Sequence, residues 1–232
     1  GLGDVYKRQG ELVEIKRTPH RFDADGVQVT QHFATSDDGT SIPYFQIAKA
    51  DSGETEPRPT LLYGYGGFEI ALTPAYLGAV GKAWVERGGV YVIANIRGGG
   101  EYGPAWHQAG LKENRPLVYE DFASVARDLF ERGVTDAQHL GVRGGSNGGL
   151  LTGNMLTTYP DLFGAVVIQV PLLDMKRFSH LLAGASWMAE YGDPDTEDWD
   201  FMQGFSAYHL LHPSAQYPPT FVLTSTRDDR VH

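Results

Sequence analysis

Gly144-Gly145-Ser146-Asn147-Gly148-Gly149, set between the apolar run Leu140-Gly141-Val142 and the helical stretch Leu150–Thr157, decides how this chain is read. It contains G-x-S-x-G where a strand passes into a helix, the context in which that pattern puts a serine on a sharp turn. The turn exposes the Ser146 hydroxyl and aims a helix N-terminus at it, where developing negative charge is stabilised. Glycines are needed beside the serine because side chains there would collide with the adjoining strand and helix. A plain glycine-rich turn or a phosphate-binding loop is the alternative for the pattern alone; the flanking strand and helix favour a nucleophile.

Outward from this turn the chain alternates. Leu61-Leu62-Tyr63, Val90–Ala94, Leu140–Val142, Ala165–Ile168 and Thr220–Leu223 are short, apolar runs of the kind that form buried parallel strands. Helical stretches at about 74–87, 120–132 and 147–158 separate them, the second with Phe122, Val125, Ala126, Leu129 and Phe130 at helical spacing. Strands alternating with helices predict an α/β fold with a mostly parallel, doubly wound sheet. Ahead of it, Val27, Val29, Gln31 and Phe33 alternate onto one face, and a second strand covers Ile42–Ala48. Asp37-Asp38-Gly39 between them predicts an N-terminal antiparallel hairpin. Residues 171–217 break the rhythm, in the position where open α/β sheets build binding pockets.

The composition excludes several classes. With 29 acidic against 19 basic residues and a formal charge of −10, there is no basic excess to neutralise phosphates, so no nucleic-acid partner is expected. No cysteine is present, which excludes disulfides, thiol nucleophiles and cysteine-ligated metals. No apolar run of transmembrane length occurs, and no membrane partner is expected. Residues 1–9 resemble translated adapter sequence and are expected to be non-native; 10–25 read as a linker or the trailing edge of an upstream domain; 26–232 read as one catalytic domain. Both ends look cut, and the sheet is expected to be incomplete at the C-terminus. The compartment stays open between cytoplasm and periplasm or exterior.

A nucleophilic serine needs a base, and the base needs an acid to orient it. On folds that carry G-x-S-x-G in this context the chain order is nucleophile, acid, histidine. The acid belongs after a later strand, where Thr226-Arg227-Asp228-Asp229-Arg230 follows Thr220–Leu223. Asp228 is the expected acid and Asp229 the alternative. His20, His32 and His107 precede the nucleophile; His139 starts its strand at the far end; His180, His209 and His212 lie in the insertion; His232 is too near Asp228. The histidine is expected beyond position 232, so the chain by itself is expected to be essentially inactive.

Four stretches then stand together in order: Leu62-Tyr63-Gly64-Tyr65-Gly66-Gly67-Phe68, Ala94–Gly103 with Arg97-Gly98-Gly99-Gly100-Glu101, Gly144–Gly149, and Arg227–Val231. From about residue 27 to 232 the chain resembles the prolyl oligopeptidase family of serine peptidases. That resemblance implies an α/β-hydrolase fold, hydrolysis of short peptides after proline, an upstream β-propeller and no cofactor or metal. It implies that Tyr65 and the backbone N–H of Asn147 form the oxyanion hole, and that a neutral phenol is the donor. It implies that Trp187 stacks on the substrate proline, that Phe68 and Tyr191 wall the pocket, and that Arg230 binds a substrate carbonyl. Pro171-Leu172-Leu173 departs from the familiar animal members, which bears on pocket shape. Arg97–Gly100 lacks the Lys and Ser/Thr of a phosphate loop and is read as structural.

Two rivals remain. One is an esterase or a peptidase with another preference at the cleaved residue, for which Glu190 and Asp193 are the nearby carboxylates. The other is a non-catalytic binding domain that kept the fold.

Overall fold

The computed structural model describes residues 14–16, 19–50 and 56–231. The expectations for residues 1–9 and for His232 lie outside them. Seven strands form one sheet: β1 (Val27–Thr35), β2 (Ser41–Lys49), β3 (Thr60–Tyr63), β4 (Val90–Ala94), β5 (Leu140–Gly145), β6 (Ala165–Gln169) and β7 (Thr220–Leu223), in the order β1-β2-β4-β3-β5-β6-β7. β1 and β2 are antiparallel, as is β2 against β4; β3 through β7 run parallel. This is the α/β-hydrolase arrangement that the sequence predicts.

The hairpin turn closes with Ser36 N–H on the Thr40 carbonyl at 2.9 Å, and Gly39 takes φ 84°. Val27, Val29 and Phe33 share the face of Ile47: Val27 packs on the Ile47 cluster while Val29 and Phe33 stay exposed, and Ala34 on the other face enters the main core.

Helices cover both faces. α1 (Ala79–Ala83) and the short turn Val85–Arg87 pack Val85 on Ile47, Tyr91 and Ile93. The predicted helix at 74–87 is thus much shorter: Gly78, at φ 49°, breaks the helical path just before α1 begins. On the other face lie α3 (Arg115–Glu131) and α4 (Asn147–Thr158); α2 (Pro104–Gln108) is a short connector. α3 carries Val118, Phe122, Val125 and Leu129 onto Leu62, Val92 and Val142, each worth about 1.5–3 kcal/mol when fully buried. Its end is a Schellman cap: Gly133 at φ 68°, Val134 N–H on Leu129 O at 3.0 Å, and Gly133 N–H on Phe130 O at 2.9 Å.

β7 is the last strand of the sheet among the described residues, and its Phe221 and Val222 are more than half exposed there. The segment at 21–23 lies against α1: Phe22 stacks on Tyr76 at 5.4 Å, and Asp23 N–H donates to Glu86.

The glycine-rich turn after β4 is tied to α3 and to the hairpin by one buried cation. Arg97 donates to both oxygens of Asp121, at 2.6 and 2.9 Å, and to Asp38 at 2.5 Å. Asp121 is fully buried and also accepts from the Ser36 hydroxyl at 2.7 Å. Replacing Arg97 with Met is expected to cost about 3 kcal/mol in urea unfolding, because it strands the Asp121 carboxylate. Asp38, exposed at the rim, is held at about 2 by its hydrogen bonds to Arg97 and Thr40. A depressed pKa stabilises above the ordinary carboxylate range, about 4, and that gain fades as pH falls toward 2. Asp38→Asn should therefore cost at most about 1 kcal/mol at neutral pH, and its difference from wild type should vanish toward pH 2.

Candidate active site

Parallel strands deliver their following loops to one end of the sheet, and that is where the cavity lies. Residues 64–72 follow β3, Ser146 follows β5, residues 170–191 follow β6 and residues 224–231 follow β7. Together they enclose about 290 Å³ lined by Tyr65, Phe68, Ile70, Ser146, Leu172, Ser186, Trp187, Tyr191 and Arg230.

Ser146 caps α4 with φ 58° and ψ −119°, a conformation that an L-residue adopts only when its surroundings force it. The forcing is visible. A Cβ on Gly144 would overlap the Gly148 carbonyl, and one on Gly148 would come within 2.7 Å of the Gly64 carbonyl. Strand, turn and helix are therefore closer than side chains permit. The turn is locked by Ser146 N–H on Gln169 O at 2.9 Å and by Leu150 N–H on Ser146 O at 3.1 Å. Asn147 is the first residue of α4, so its N–H has no acceptor within the helix.

The Tyr65 phenol and Ser146 line the same cavity. Burial pushes the phenol above its ordinary value, so Tyr65 stays neutral, with its proton to donate, at neutral pH. The aromatic wall is ordered by ring packing: Phe68 meets Tyr191 edge-on at 5.7 Å, and Phe178 meets Tyr191 edge-on at 5.6 Å. Trp187 closes the side formed by the short turn Gly184–Trp187, and Tyr191 ends α5 (Met188–Tyr191).

Behind the cavity is a buried polar network. The Asn147 side chain accepts from Arg115 and from the Tyr191 hydroxyl (2.7 Å), and donates to the Tyr65 carbonyl at 2.5 Å. Arg115 is 1% exposed and donates to Glu190 Oε1 at 3.0 Å. Glu190 Oε1 also accepts Phe68 N–H at 2.9 Å, and Oε2 lies 2.8 Å from His107 Nε2. The Asp193 carboxylate accepts its own loop's Asp195 N–H at 3.0 Å. Neither acid lines the cavity.

The structure thus brings Ser146, Tyr65, Phe68, Trp187, Tyr191 and Arg230 around one space, with Asn147 beneath them. Asp228 sits in the turn after β7, two residues before Arg230; its Oδ1 accepts Arg230 N–H at 3.0 Å and Val231 N–H at 2.8 Å. Among the described residues no histidine lines the cavity: His107 faces Glu190, His139 Asp136, His180 Asp195 and His209 Ser206. Ile70 and Ser186 line the cavity without having been singled out in the sequence, since only the course of their loops brings them there. Leu172, from the divergent stretch Pro171–Leu173, does so as well. Arg115 carried no sequence signal beyond a charged residue opening a helix.

The prolyl oligopeptidase family model matches residues 79–232. A peptidase of Sinorhizobium fredii is 54% identical over 223 residues, spanning 96% of this chain and 31% of its own length. A prolyl endopeptidase of Elizabethkingia meningoseptica is 40% identical, over 100% of this chain and 32% of its own. A solved post-proline cleaving enzyme from Rickettsia typhi superposes with a TM-score of 0.90 at 40% identity, over 94% of this chain and 32% of the other. The chain spans about a third of the length of these relatives.

The backbone strain at Ser146 is measurable. Glycine tolerates φ 58° and alanine does not, so Ser146→Gly should unfold later than Ser146→Ala by about 1 kcal/mol. Equal midpoints for the two variants would mean that the turn is relaxed.

Proposed function

The chain belongs to the prolyl oligopeptidase family, and from that premise we propose that it carries the nucleophile of a serine peptidase cleaving short peptides after proline. The observation that carries this reading is Ser146, on its strained turn, sharing one cavity with Tyr65 and with the aromatic walls Phe68, Trp187 and Tyr191.

Ser146 Oγ attacks the carbonyl carbon of the prolyl residue, and its proton passes to a histidine outside the described residues. Asp228 orients that histidine. Negative charge on the carbonyl oxygen is met by the Tyr65 phenol and the Asn147 N–H, preorganised donors that need no rearrangement. The histidine returns the proton to the leaving nitrogen, the C–N bond breaks, and an acyl ester on Ser146 remains. Water then attacks the ester by the same route, giving up its proton through the histidine to Ser146. Trp187 stacks on the pyrrolidine ring, and Arg230 donates to a carbonyl further along the acyl half. The β-propeller that the family resemblance implies would lie in the part of the relatives' length that this chain does not span. Without the histidine, the 232 residues alone should turn over substrate at a small residual rate at most.

A preference for arginine would need a carboxylate facing the cavity. Glu190 accepts from Arg115, from Phe68 and faces His107, which favours proline over a cationic residue. In the full-length polypeptide, kcat/KM on an acyl-Gly-Pro reporter is expected to exceed that on acyl-Ala and acyl-Arg by roughly 10²-fold, about 2.7 kcal/mol of discrimination. Ser146→Ala should abolish turnover, and Tyr65→Phe should lower kcat by roughly 10²-fold with a modest change in KM. An arginine or alanine preference would overturn the pocket assignment and leave the nucleophile standing. Turnover that survives Ser146→Ala would overturn the nucleophile itself.

A further inference from the structure

The Phe68–Ile70 wall of the cavity stands on a stretch without helix or strand, from Gly64 to Leu77. Phe68 and Glu69 both occupy the left-handed region, at φ 56° and 57°, which costs each about 1 kcal/mol or more. A segment so placed keeps its shape only if something outside it holds it. Three bonds do so. Phe68 N–H donates to Glu190 at 2.9 Å and Glu69 N–H to the Gly98 carbonyl at 3.2 Å. At the far end Leu72 N–H donates to Glu101 Oε1 at 3.0 Å.

Leu72 is gripped on both sides. Asn95 Nδ2 donates to the Leu72 carbonyl at 2.7 Å and to the same Glu101 Oε1 at 3.1 Å, so the Asn95–Glu101 pair takes both backbone polar groups of one residue. Asn95 is 2% exposed, and Glu101 Oε2 is buried with no hydrogen-bond partner. Burial raises the Glu101 carboxyl above the usual carboxylate range. The glycines of Arg97-Gly98-Gly99-Gly100 make the grip possible. A Cβ on Gly100 would overlap the Glu69 carbonyl, one on Gly99 would overlap Glu101 Oε2, and one on Gly98 would stand 2.5 Å from the Gly66 carbonyl. The motif holds a neighbouring loop at backbone-to-backbone distance.

We propose that Asn95 and Glu101 are positioning residues for the acyl-side pocket: by clamping Leu72 they fix the Phe68–Leu72 segment, and with it the aromatic wall that receives the substrate ring. The pocket role rests on the post-proline reading above; the clamp itself does not.

The test uses the full-length polypeptide with Glu101→Leu, which removes the acceptor, and Glu101→Gln, which keeps a carbonyl oxygen where Oε1 lies. Amide exchange of the 66–72 segment reports the clamp directly. In Glu101→Leu it should speed up at least about 10-fold, with KM for acyl-Gly-Pro raised about 10-fold and kcat within about threefold, the pattern of lost ground-state positioning. Glu101→Gln should restore both to within about threefold of wild type. Asn95→Ala, which frees the Leu72 carbonyl, is expected to behave like Glu101→Leu and serves if that variant does not fold. Wild-type exchange in a folded Glu101→Leu or Asn95→Ala overturns the clamp, as does a Glu101→Gln that exchanges like Glu101→Leu. Faster exchange with unchanged KM overturns the pocket role. Absence of Ser146-dependent turnover on every reporter would sink the functional reading, while the exchange measurement would still decide the clamp.

Discussion

A guanidinium with almost no access to water sits beneath the cavity, and the site's geometry hangs on how its charge is met. Arg115 enters at the first turn of α3 and reaches Glu190, which follows β6, and Asn147, which opens α4. A buried ion pair is poor evidence for stability, since removing both charges from water costs much of what their attraction returns. It is good evidence for location, because a lone buried charge would be far worse and neither partner can drift. Arg115 thereby fixes three chain segments at once. Through Asn147 the constraint reaches the Tyr65 carbonyl, and through Glu190 it reaches Phe68 N–H, so both sides of the cavity are referred to one cation that does not line it.

The second constraint is backbone packing at the nucleophile. β3, β5 and β6 run parallel beside one another, and the chain must leave β5 and start α4 within one residue, Ser146. That exit is possible only where Gly144 and Gly148 let carbonyls approach within ordinary Cβ distance. The strain at Ser146 is held by bonds on both sides, to Gln169 and Leu150, and not by the serine's own preference. The first constraint orders side chains and the second orders backbone, and they meet at adjacent residues, Ser146 and Asn147.

Much of this was legible in the sequence, for physical reasons that differ by element. β3 to β6 could be read because strands buried on both faces are apolar runs, and the turn at Ser146 because its glycines are demanded by close approach. The start of α3 was placed five residues late, since Arg115 and Glu120 interrupt the apolar spacing although Val118 and Tyr119 are already buried. At the site, Ser146 followed from its own neighbours, whereas Tyr65, Phe68, Trp187, Tyr191 and Arg230 came through family resemblance. Arg115–Glu190 and Glu101–Leu72 could not be read from the sequence. The first joins residues 75 apart and the second 29 apart, and no local pattern marks either end as the partner of the other.

The lining and the scaffold divide the chemistry between them. Facing the cavity are aromatic rings, two aliphatic side chains, hydroxyls and one cation, Arg230; Glu190 and Glu101 are turned onto backbone N–H groups of the loop that carries Phe68. A carboxylate that accepts from a buried guanidinium and an amide has spent its acceptor directions where a ligand cannot reach. Proximity in sequence to Trp187 therefore misleads about Glu190: it does not line the cavity, and one of its oxygens accepts the Phe68 N–H instead. What the cavity presents is therefore shape and π-surface, to which, on the proposed post-proline reading, a compact, uncharged ring is better suited than a long cation.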